Sequence, residues 1–173
     1  YYNHLSKEKA KNFRFIHVST DEVFGSLSLK DEAFNQSTAY NPRSPYSASK
    51  AASDHITKAW HHTYGLPVII TNCSNNYGPF QFPEKFIPLM IINCIKEKKL
   101  PVYGTGNNIR DWLHVNDHCK ALQIIGEKGS IGQTYLVGGN SERTNLEIVT
   151  NLCQIINKIM PKSDGKDYND LIE

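Results

Sequence analysis

The sequence predicts an α/β fold built on a parallel sheet. Two short apolar runs, residues 13–18 and 67–71, have the length of buried strands. Between them lies a helix-forming segment that Ser44 and Pro45 open and Gly65 closes. This strand–helix–strand order places the two strands side by side and parallel. With 39% hydrophobic residues among 173, the chain can bury a core.

Local signals predict the remaining elements in chain order. The first half reads as a helix end at 1–5, a polar connector at 7–12, a strand at 13–19, a polar loop at 25–43, a helix at 45–64 and a strand at 67–71. The second half reads as a loop at 73–83, a well-buried helix at 86–98, a short strand at 100–103, a turn at 104–107, a strand at 110–115, a helix at 117–127, a strand at 134–137, a helix from the Thr144–Glu147 capping box to about 160, and a weakly ordered polar segment at 161–170.

Composition excludes several functional classes. A net charge of +2 does not produce the strongly positive surface potential that is typical of nucleic-acid-binding proteins. The four cysteines are widely spaced, which suits reduced thiols in the cytoplasm. No apolar run approaches the roughly 18 residues of a membrane span, and no signal peptide is visible. His114 and His118 lack a third ligand, so we expect no metal site.

The chain ends predict a segment cut from a longer protein. It begins at Tyr1 rather than Met, and residues 171–173 carry no closing turn. We therefore expect the chain to be truncated at both ends.

The first candidate site follows the first strand. Thr20, Asp21 and Glu22 place a hydroxyl and two carboxyl groups where ligands bind in open parallel sheets. Neighbouring carboxyl groups repel each other, which can keep one protonated as an acid while the other acts as a base. A simple turn is an equally good interpretation of these three residues alone.

The second candidate site opens the long helix. Tyr46 and Lys50 are four residues apart, so they share one helix face. A cation beside a phenol lowers its pKa from about 10, and such a Tyr can deprotonate an alcohol. The same spacing arises by chance in a chain of this composition, so its context at a helix start after a strand carries the weight.

Two further positions carry weaker signals. Asn75 and Asn76 follow the second strand and can bind sugar hydroxyls or a cofactor amide, although Asn is also a common turn residue. Arg110 can clamp a diphosphate with two hydrogen bonds. The alternative for Arg110 is a surface ion pair with Asp111.

Five segments together resemble a known family. They are His17-Val18-Ser19-Thr20-Asp21-Glu22-Val23, Tyr46-Ser47-Ala48-Ser49-Lys50-Ala51, Asn72-Cys73-Ser74-Asn75-Asn76-Tyr77-Gly78-Pro79, Phe82-Pro83-Glu84-Lys85 and Ile109-Arg110-Asp111-Trp112-Leu113. Nearly the whole chain resembles the extended short-chain dehydrogenase/reductase superfamily and, within it, the dTDP-glucose 4,6-dehydratases. The Tyr-x-x-x-Lys pattern marks the superfamily, whereas Thr-Asp-Glu is the narrower mark.

The resemblance implies a fold and its division. It implies a partial Rossmann-like, doubly wound parallel sheet whose N-terminal half is absent, with part of a smaller C-terminal substrate-binding α/β region. Residues 1–78 would be the C-terminal part of the NAD-binding domain. Residues 79–173 would be a mixed region that supplies substrate-binding elements and a returning Rossmann strand. The full-length enzyme would be a homodimer.

The resemblance also implies catalytic roles. Tyr46 would take the proton of the glucose 4-hydroxyl while hydride passes to NAD, with Thr20 hydrogen-bonded nearby and Lys50 holding the nicotinamide ribose. Glu22 would then remove the C5 proton, and Asp21 would protonate the departing C6 hydroxyl. The product from dTDP-glucose would be dTDP-4-keto-6-deoxyglucose.

The same resemblance assigns an outer set of binding residues. Asn75 would contact substrate, and Asn76 would lie near the cofactor. The nucleotide-diphosphate end would be lined by Lys85, Tyr103, Arg110 and Asn145.

Two departures and two alternatives qualify this assignment. Phe24 replaces a usual Tyr, and Gly104-Thr105-Gly106 lacks the third glycine and following helix of a dinucleotide-binding turn. We therefore expect the 173 residues alone neither to bind NAD tightly nor to turn over. One alternative is a UDP-sugar epimerase or decarboxylase, and Asp21 and Glu22 argue against the epimerase. The other alternative is a non-catalytic homologue that binds nucleotide sugar.

Overall fold

The protein contains two compact units. The computed structural model describes residues 1–27 and 31–173. The first unit comprises 1–74 and 116–138, and the second comprises 75–115 and 139–173. The division at residue 78 stays a prediction about the roles of the two parts.

Five helices and six strands make up the described chain. In order they are α1 (Lys7–Asn12), β1 (Phe15–Thr20), α2 (Pro45–Tyr64), β2 (Val68–Cys73), β3 (Asn75–Tyr77), α3 (Phe86–Ile95), β4 (Ile109–His114), α4 (Val115–Lys128), β5 (Thr134–Val137), β6 (Glu142–Thr144) and α5 (Asn145–Ile159). Short 3₁₀ helices lie at Tyr2–His4, Asp21–Phe24 and Tyr168–Leu171.

The sheet of the first unit is parallel, as predicted. Its order is β1-β2-β5, with β2 in the centre. The β2 residues Val68, Ile69 and Ile70 are at most 1% exposed. A central parallel strand covered on both faces requires such a continuous apolar run, which is why the sequence located it.

Helix α2 has the predicted ends. Ser44 is the N-cap and forms a capping box with Ser47, in which the Ser44 side chain accepts from the Ser47 amide at 3.1 Å. Pro45 occupies the first helical position, and Gly65 closes the helix in the left-handed conformation at φ 66°. These caps fix where the helix begins, one residue before Tyr46.

The second unit contains two strands that the sequence did not predict. Strands β3 and β4 pair in parallel, and β4 pairs antiparallel with β6. Both β3, within the predicted loop at 73–83, and β6 are three residues long and largely polar. Their strand conformation comes from pairing with β4, which no local periodicity reveals.

The core of the second unit lies between α3, α5 and the C-terminal segment. Its buried members are Met90, Cys94, Leu100, Val149, Cys153, Ile156 and Tyr168. The prediction that 161–170 is weakly ordered is wrong at Tyr168, which is 2% exposed and opens a 3₁₀ helix. A single aromatic packed into the core orders this polar segment.

Three other local predictions need correction. The connector at 7–12 is a helix, because Ser6 caps it by accepting from the Lys9 amide at 3.4 Å. The expected strand at 100–103 is only a bridge between Leu100 and Ile172. Helix α3 stops at Ile95 and is not buried all round, since Ile95 is 58% exposed.

Two further findings hold for the residues that the structure describes. No helix within 1–27 and 31–173 has the length and apolar character needed to cross a bilayer. All four cysteines are free thiols.

Candidate active site

Strand β1 delivers Thr20, Asp21 and Glu22 to one turn. Thr20 caps the 3₁₀ helix Asp21–Phe24, and its hydroxyl accepts from the Glu22 amide at 3.3 Å. The same hydroxyl donates to the Asp21 carboxylate at 3.4 Å. Because this cap fixes the backbone conformation of the turn, the Asp21 and Glu22 side chains extend from defined positions directly after β1.

The residues after this turn anchor it to the core. Val23 is fully buried and Phe24 is 5% exposed. The Phe24 ring packs against Phe34 and Tyr40 at centroid distances of 5.3 and 5.2 Å. The Val23 carbonyl accepts from the Asn41 amide at 2.8 Å. Phe24 therefore fills an aromatic cluster with Phe34 and Tyr40.

Helix α2 presents Tyr46 and Lys50 beside β1. Ser47 and Ala51 are buried at 2% and 6% exposure and seat the helix, whereas Tyr46 is 56% exposed. The Lys50 ammonium donates to the backbone carbonyl of Val18 at 2.9 Å. The strand that ends in Thr20 and the helix that carries Tyr46 are thus joined directly by Lys50.

The pKa of Tyr46 differs from the sequence expectation. It is raised above its ordinary value of 10.0 by burial first, and then by the charges of Glu22 and Cys73. The predicted lowering by Lys50 is wrong in this structure, because the ammonium lies against the Val18 carbonyl. The effect of Glu22 on the phenol nevertheless places the two groups within electrostatic reach of each other.

Sequence reasoning missed a buried polar cluster behind these residues. Asp54 of α2 is fully buried and contacts His17, Tyr40 and Asn72. One signal was available: Asp54 continues the buried helix face of Ser47 and Ala51, where a carboxylate is uncommon.

The outer candidates all lie in the second unit. Asn75 and Asn76 are partly buried in β3, and Lys85 is the exposed N-cap of α3. Tyr103 is 82% exposed in the loop before β4. The Asn145 amide donates to the Asn108 carbonyl at 3.0 Å, which brings the start of α5 to the start of β4.

Arg110 is not paired with Asp111. The Asp111 carboxylate instead accepts from the Gly139 and Ser141 amides at 2.6 and 2.7 Å. Arg110 lies directly opposite Arg143 in the antiparallel pairing of β4 and β6. Like charges opposite each other destabilise a sheet, so this pair suits an anion such as a diphosphate.

The glycines at 104 and 106 do not form a dinucleotide cradle. Both have positive φ, 64° and 69°, and strand β4 rather than a helix follows them. A Cβ on Gly106 would lie 2.7 Å from Val102 and 3.0 Å from Leu146. Residues 104–106 form the turn that the sequence predicted, and Gly106 allows close packing within the second unit.

No metal centre is found among the described residues. Within 1–27 and 31–173, no group of three or more His, Cys, Asp or Glu side chains is placed to hold an ion.

Comparison with known proteins places the chain in a family. Residues 3–171 match the family model described as GDP-mannose 4,6 dehydratase. The chain is 52% identical, over 99% of its length and 49% of the relative, to the dTDP-glucose 4,6-dehydratase of Shigella flexneri. It spans about half the length of the curated relatives it matches.

Solved structures agree in fold. The dTDP-glucose 4,6-dehydratase of Bacillus anthracis in complex with NAD superposes with a TM-score of 0.81 at 49% identity, covering 96% of this chain and 50% of that one. The dTDP-glucose 4,6-dehydratase of Streptomyces venezuelae, also with NAD bound, gives 0.83 at 41% identity over 95% and 48%. These similarities confirm the Rossmann-like α/β class, and the chain belongs to the GDP-mannose 4,6 dehydratase family.

Proposed function

We propose that this chain is part of an NAD-dependent dTDP-glucose 4,6-dehydratase. This lyase would convert dTDP-glucose to dTDP-4-keto-6-deoxyglucose and water in cytoplasmic nucleotide-sugar metabolism, and would work as a homodimer at full length. Support comes from relatives named dTDP-glucose 4,6-dehydratase that are 52% and 53% identical to this chain over 99% of its length. The chain alone is not proposed to turn over, because it spans about half of those relatives.

The feature that carries the proposal is the proximity of Glu22 to Tyr46, which is close enough for the charge of the carboxylate to act on the phenol. The charge of Glu22 contributes to the raised pKa of the Tyr46 phenol. The Glu22 carboxyl group after β1 and the phenol of α2 therefore lie near each other, and we propose that they serve one reaction space. An enzyme that only oxidises and reduces one carbon needs the phenol but not an additional acid and base.

The residues of this space fit a nicotinamide dinucleotide. Tyr46 is 56% exposed, and the Lys50 ammonium lies 2.9 Å from the Val18 carbonyl, near the carboxyl end of β1. Ligands of open parallel sheets bind at that edge. Bound NAD would accept the hydride of the sugar C4 and return it to C6.

The first proton transfer falls to α2. With Tyr46 as the base, the C4 hydroxyl loses its proton as its carbon is oxidised, and a ketone forms at C4. The Thr20 hydroxyl, at the end of β1, would hydrogen-bond the same oxygen. Lys50 would hold the cofactor ribose.

The elimination falls to the β1 turn. A ketone at C4 acidifies the neighbouring C5 proton, which Glu22 would remove as base. Asp21 would donate a proton to the C6 hydroxyl, so that it leaves as water. When C6 is reduced, the proton held by Glu22 would return to C5. Transfer of the proton gained by Tyr46 to Asp21, by way of solvent, would then restore the starting protonation states.

The second unit would bind the nucleotide end. Arg110 and Arg143 form a cross-strand pair of like charges, which a bound diphosphate would compensate. Tyr103 and Asn145 flank the same end of β4, and we propose that they and Lys85 line this site. Asn75 would contact the sugar, and Asn76 the cofactor.

One assay of the full-length protein tests the proposed function. Incubation with dTDP-glucose and NAD⁺ in D₂O is expected to yield a 4-keto-6-deoxy sugar that has lost one water and carries deuterium at C5. Unchanged dTDP-glucose, together with epimerisation of UDP-glucose in a parallel incubation, would identify an epimerase instead. Binding of nucleotide sugar without any product would identify a non-catalytic homologue.

A further inference from the structure

Asp54 is a buried carboxylate with partners on three other segments. It is fully buried on α2. Its Oδ2 accepts from the Tyr40 hydroxyl at 2.9 Å and from the Asn72 amide at 3.0 Å, and its Oδ1 lies 2.9 Å from His17 Nε2. Burial of a carboxylate is costly unless several donors compensate it, so this group is held in one place.

Asn72 extends this contact to the catalytic turn. Its side-chain amide has two N–H groups, and the second donates to the backbone carbonyl of Thr20 at 3.0 Å. Thr20 in turn caps Glu22. The hydrogen bonds from Asp54 through Asn72 to Thr20 therefore link α2 to the residue that directly precedes Asp21 and Glu22.

The same carboxylate fixes the helix that carries the phenol. Asp54 lies one turn after Lys50 and two turns after Tyr46 on α2. Lys50 is hydrogen-bonded to β1 at Val18. Helix α2 is thus held against the sheet at two points, one on each side of a single helical turn.

We propose that Asp54 is a positioning residue for the oxidation at C4. Through Asn72 it keeps the Thr20 turn in register with the Tyr46–Lys50 face, so that the hydroxyl of Thr20 and the phenol meet the same sugar oxygen. The inference rests on the proposed function. A displacement of about 1 Å at such a site can lower a rate about 10²-fold.

The Tyr40 phenol supports this role, because it keeps a hydrogen bond to the Asp54 carboxylate. Burial and, after it, the hydrogen bond to Asp54 raise the pKa of Tyr40. The phenol therefore remains protonated and donates to Asp54 across the working pH range. The opposite face of the carboxylate meets His17, whose Nε2 also lies 3.2 Å from Ser53 Oγ.

Kinetics of the full-length enzyme test this role. In Asp54→Ala, single-turnover reduction of NAD⁺ by dTDP-glucose should slow at least about 10²-fold, with KM changed less than about threefold. Asp54→Asn should recover to within about tenfold, because its amide oxygen can still accept from Tyr40 and Asn72. Asp117→Ala is the matched control, since Asp117 is an exposed carboxylate of α4 paired only at the surface.

A second measurement requires no substrate. Hydrogen exchange of the amides at 21–25 should accelerate in Asp54→Ala and in Asn72→Ala, but not in Asp117→Ala. If Asp54→Ala does not fold, Asn72→Ala takes its place in both experiments. Folded variants that keep the wild-type rate, or unchanged exchange at 21–25, would overturn the positioning role.

The experiments distinguish a failure of the proposed function from a failure of the positioning role. Wild-type protein that does not reduce NAD⁺ with dTDP-glucose refutes the proposed function, and the exchange experiment then decides the link between Asp54 and the turn. Wild-type protein that is active, with Asp54→Ala less stable but equally fast, refutes only the positioning role.

Discussion

Lys50 donates a hydrogen bond of 2.9 Å to the backbone carbonyl of Val18. The bond joins helix α2, which carries Tyr46, to strand β1, which leads into Asp21 and Glu22. It also directs the ammonium to a carbonyl rather than to the phenol. The pKa of Tyr46 is therefore set by burial and by the charge of Glu22, and it lies above the ordinary value.

Removing the charge of Glu22 should lower the pKa of Tyr46. A carboxylate near a phenol disfavours phenolate, so Glu22→Gln should move the Tyr46 titration to lower pH. Tyrosinate absorbance is measured against pH without cofactor, and the difference from Tyr46→Phe isolates this residue. An unchanged or higher titration would contradict the contact between the two groups.

Glu22→Gln should also separate oxidation from elimination. Without the base, the C4 ketone forms but the C5 proton stays, so reduced cofactor should accumulate and turnover fall about 10²–10⁴-fold. Absorbance of NADH and the mass of the sugar product report the two steps. Glu127→Gln, an exposed change at the end of α4, should leave both unchanged. Full turnover in Glu22→Gln would show that another group is the base.

Loss of the α2 cap should destabilise this helix. Ser44 accepts from the Ser47 amide at 3.1 Å, so Ser44→Ala should lower the free energy of unfolding by about 1 kcal/mol. Urea unfolding of the full-length protein measures the change. Thr63→Ala, exposed in the last turn of the same helix, should cost less than about 0.5 kcal/mol. Equal effects of the two variants would argue against the cap.

The capping box of α5 should depend on pH in a defined direction. The amide and hydroxyl of Thr144 lower the pKa of Glu147 from its ordinary value of 4.5. A lowered pKa in the folded state stabilises the protein above the ordinary value and loses that effect as the pH falls through the folded one. Glu147→Gln should therefore be less stable than wild type at neutral pH, with the difference disappearing in acid. A difference that grows in acid would reverse the assignment.

The core of the second unit should be sensitive at Met90. This side chain is 1% exposed, so Met90→Ala should lower the free energy of unfolding by about 2–5 kcal/mol. Ile95→Ala, on the same helix but 58% exposed, should cost much less. Chemical denaturation compares the two variants, and similar losses would contradict the packing.

Much of the fold was predictable because its signals are local. The apolar run of β2, the caps of α2 and the Thr144–Glu147 box depend on neighbours within a few residues, and all three appear where predicted. Strands β3 and β6 were missed because their conformation depends on pairing with β4. The order given to residue 168 by the core likewise has no signal in its polar neighbours.

The candidate site divides in the same way. The sequence by itself determined the residue types: Thr20, Asp21 and Glu22 after a strand, and Tyr46 with Lys50 on one helix face. Only the tertiary structure decided that Lys50 bonds to a strand carbonyl and that a buried carboxylate on α2 is linked through Asn72 to Thr20. The reason is physical: residue identity fixes the available chemistry, but pKa values and positions depend on burial and on partners distant in sequence.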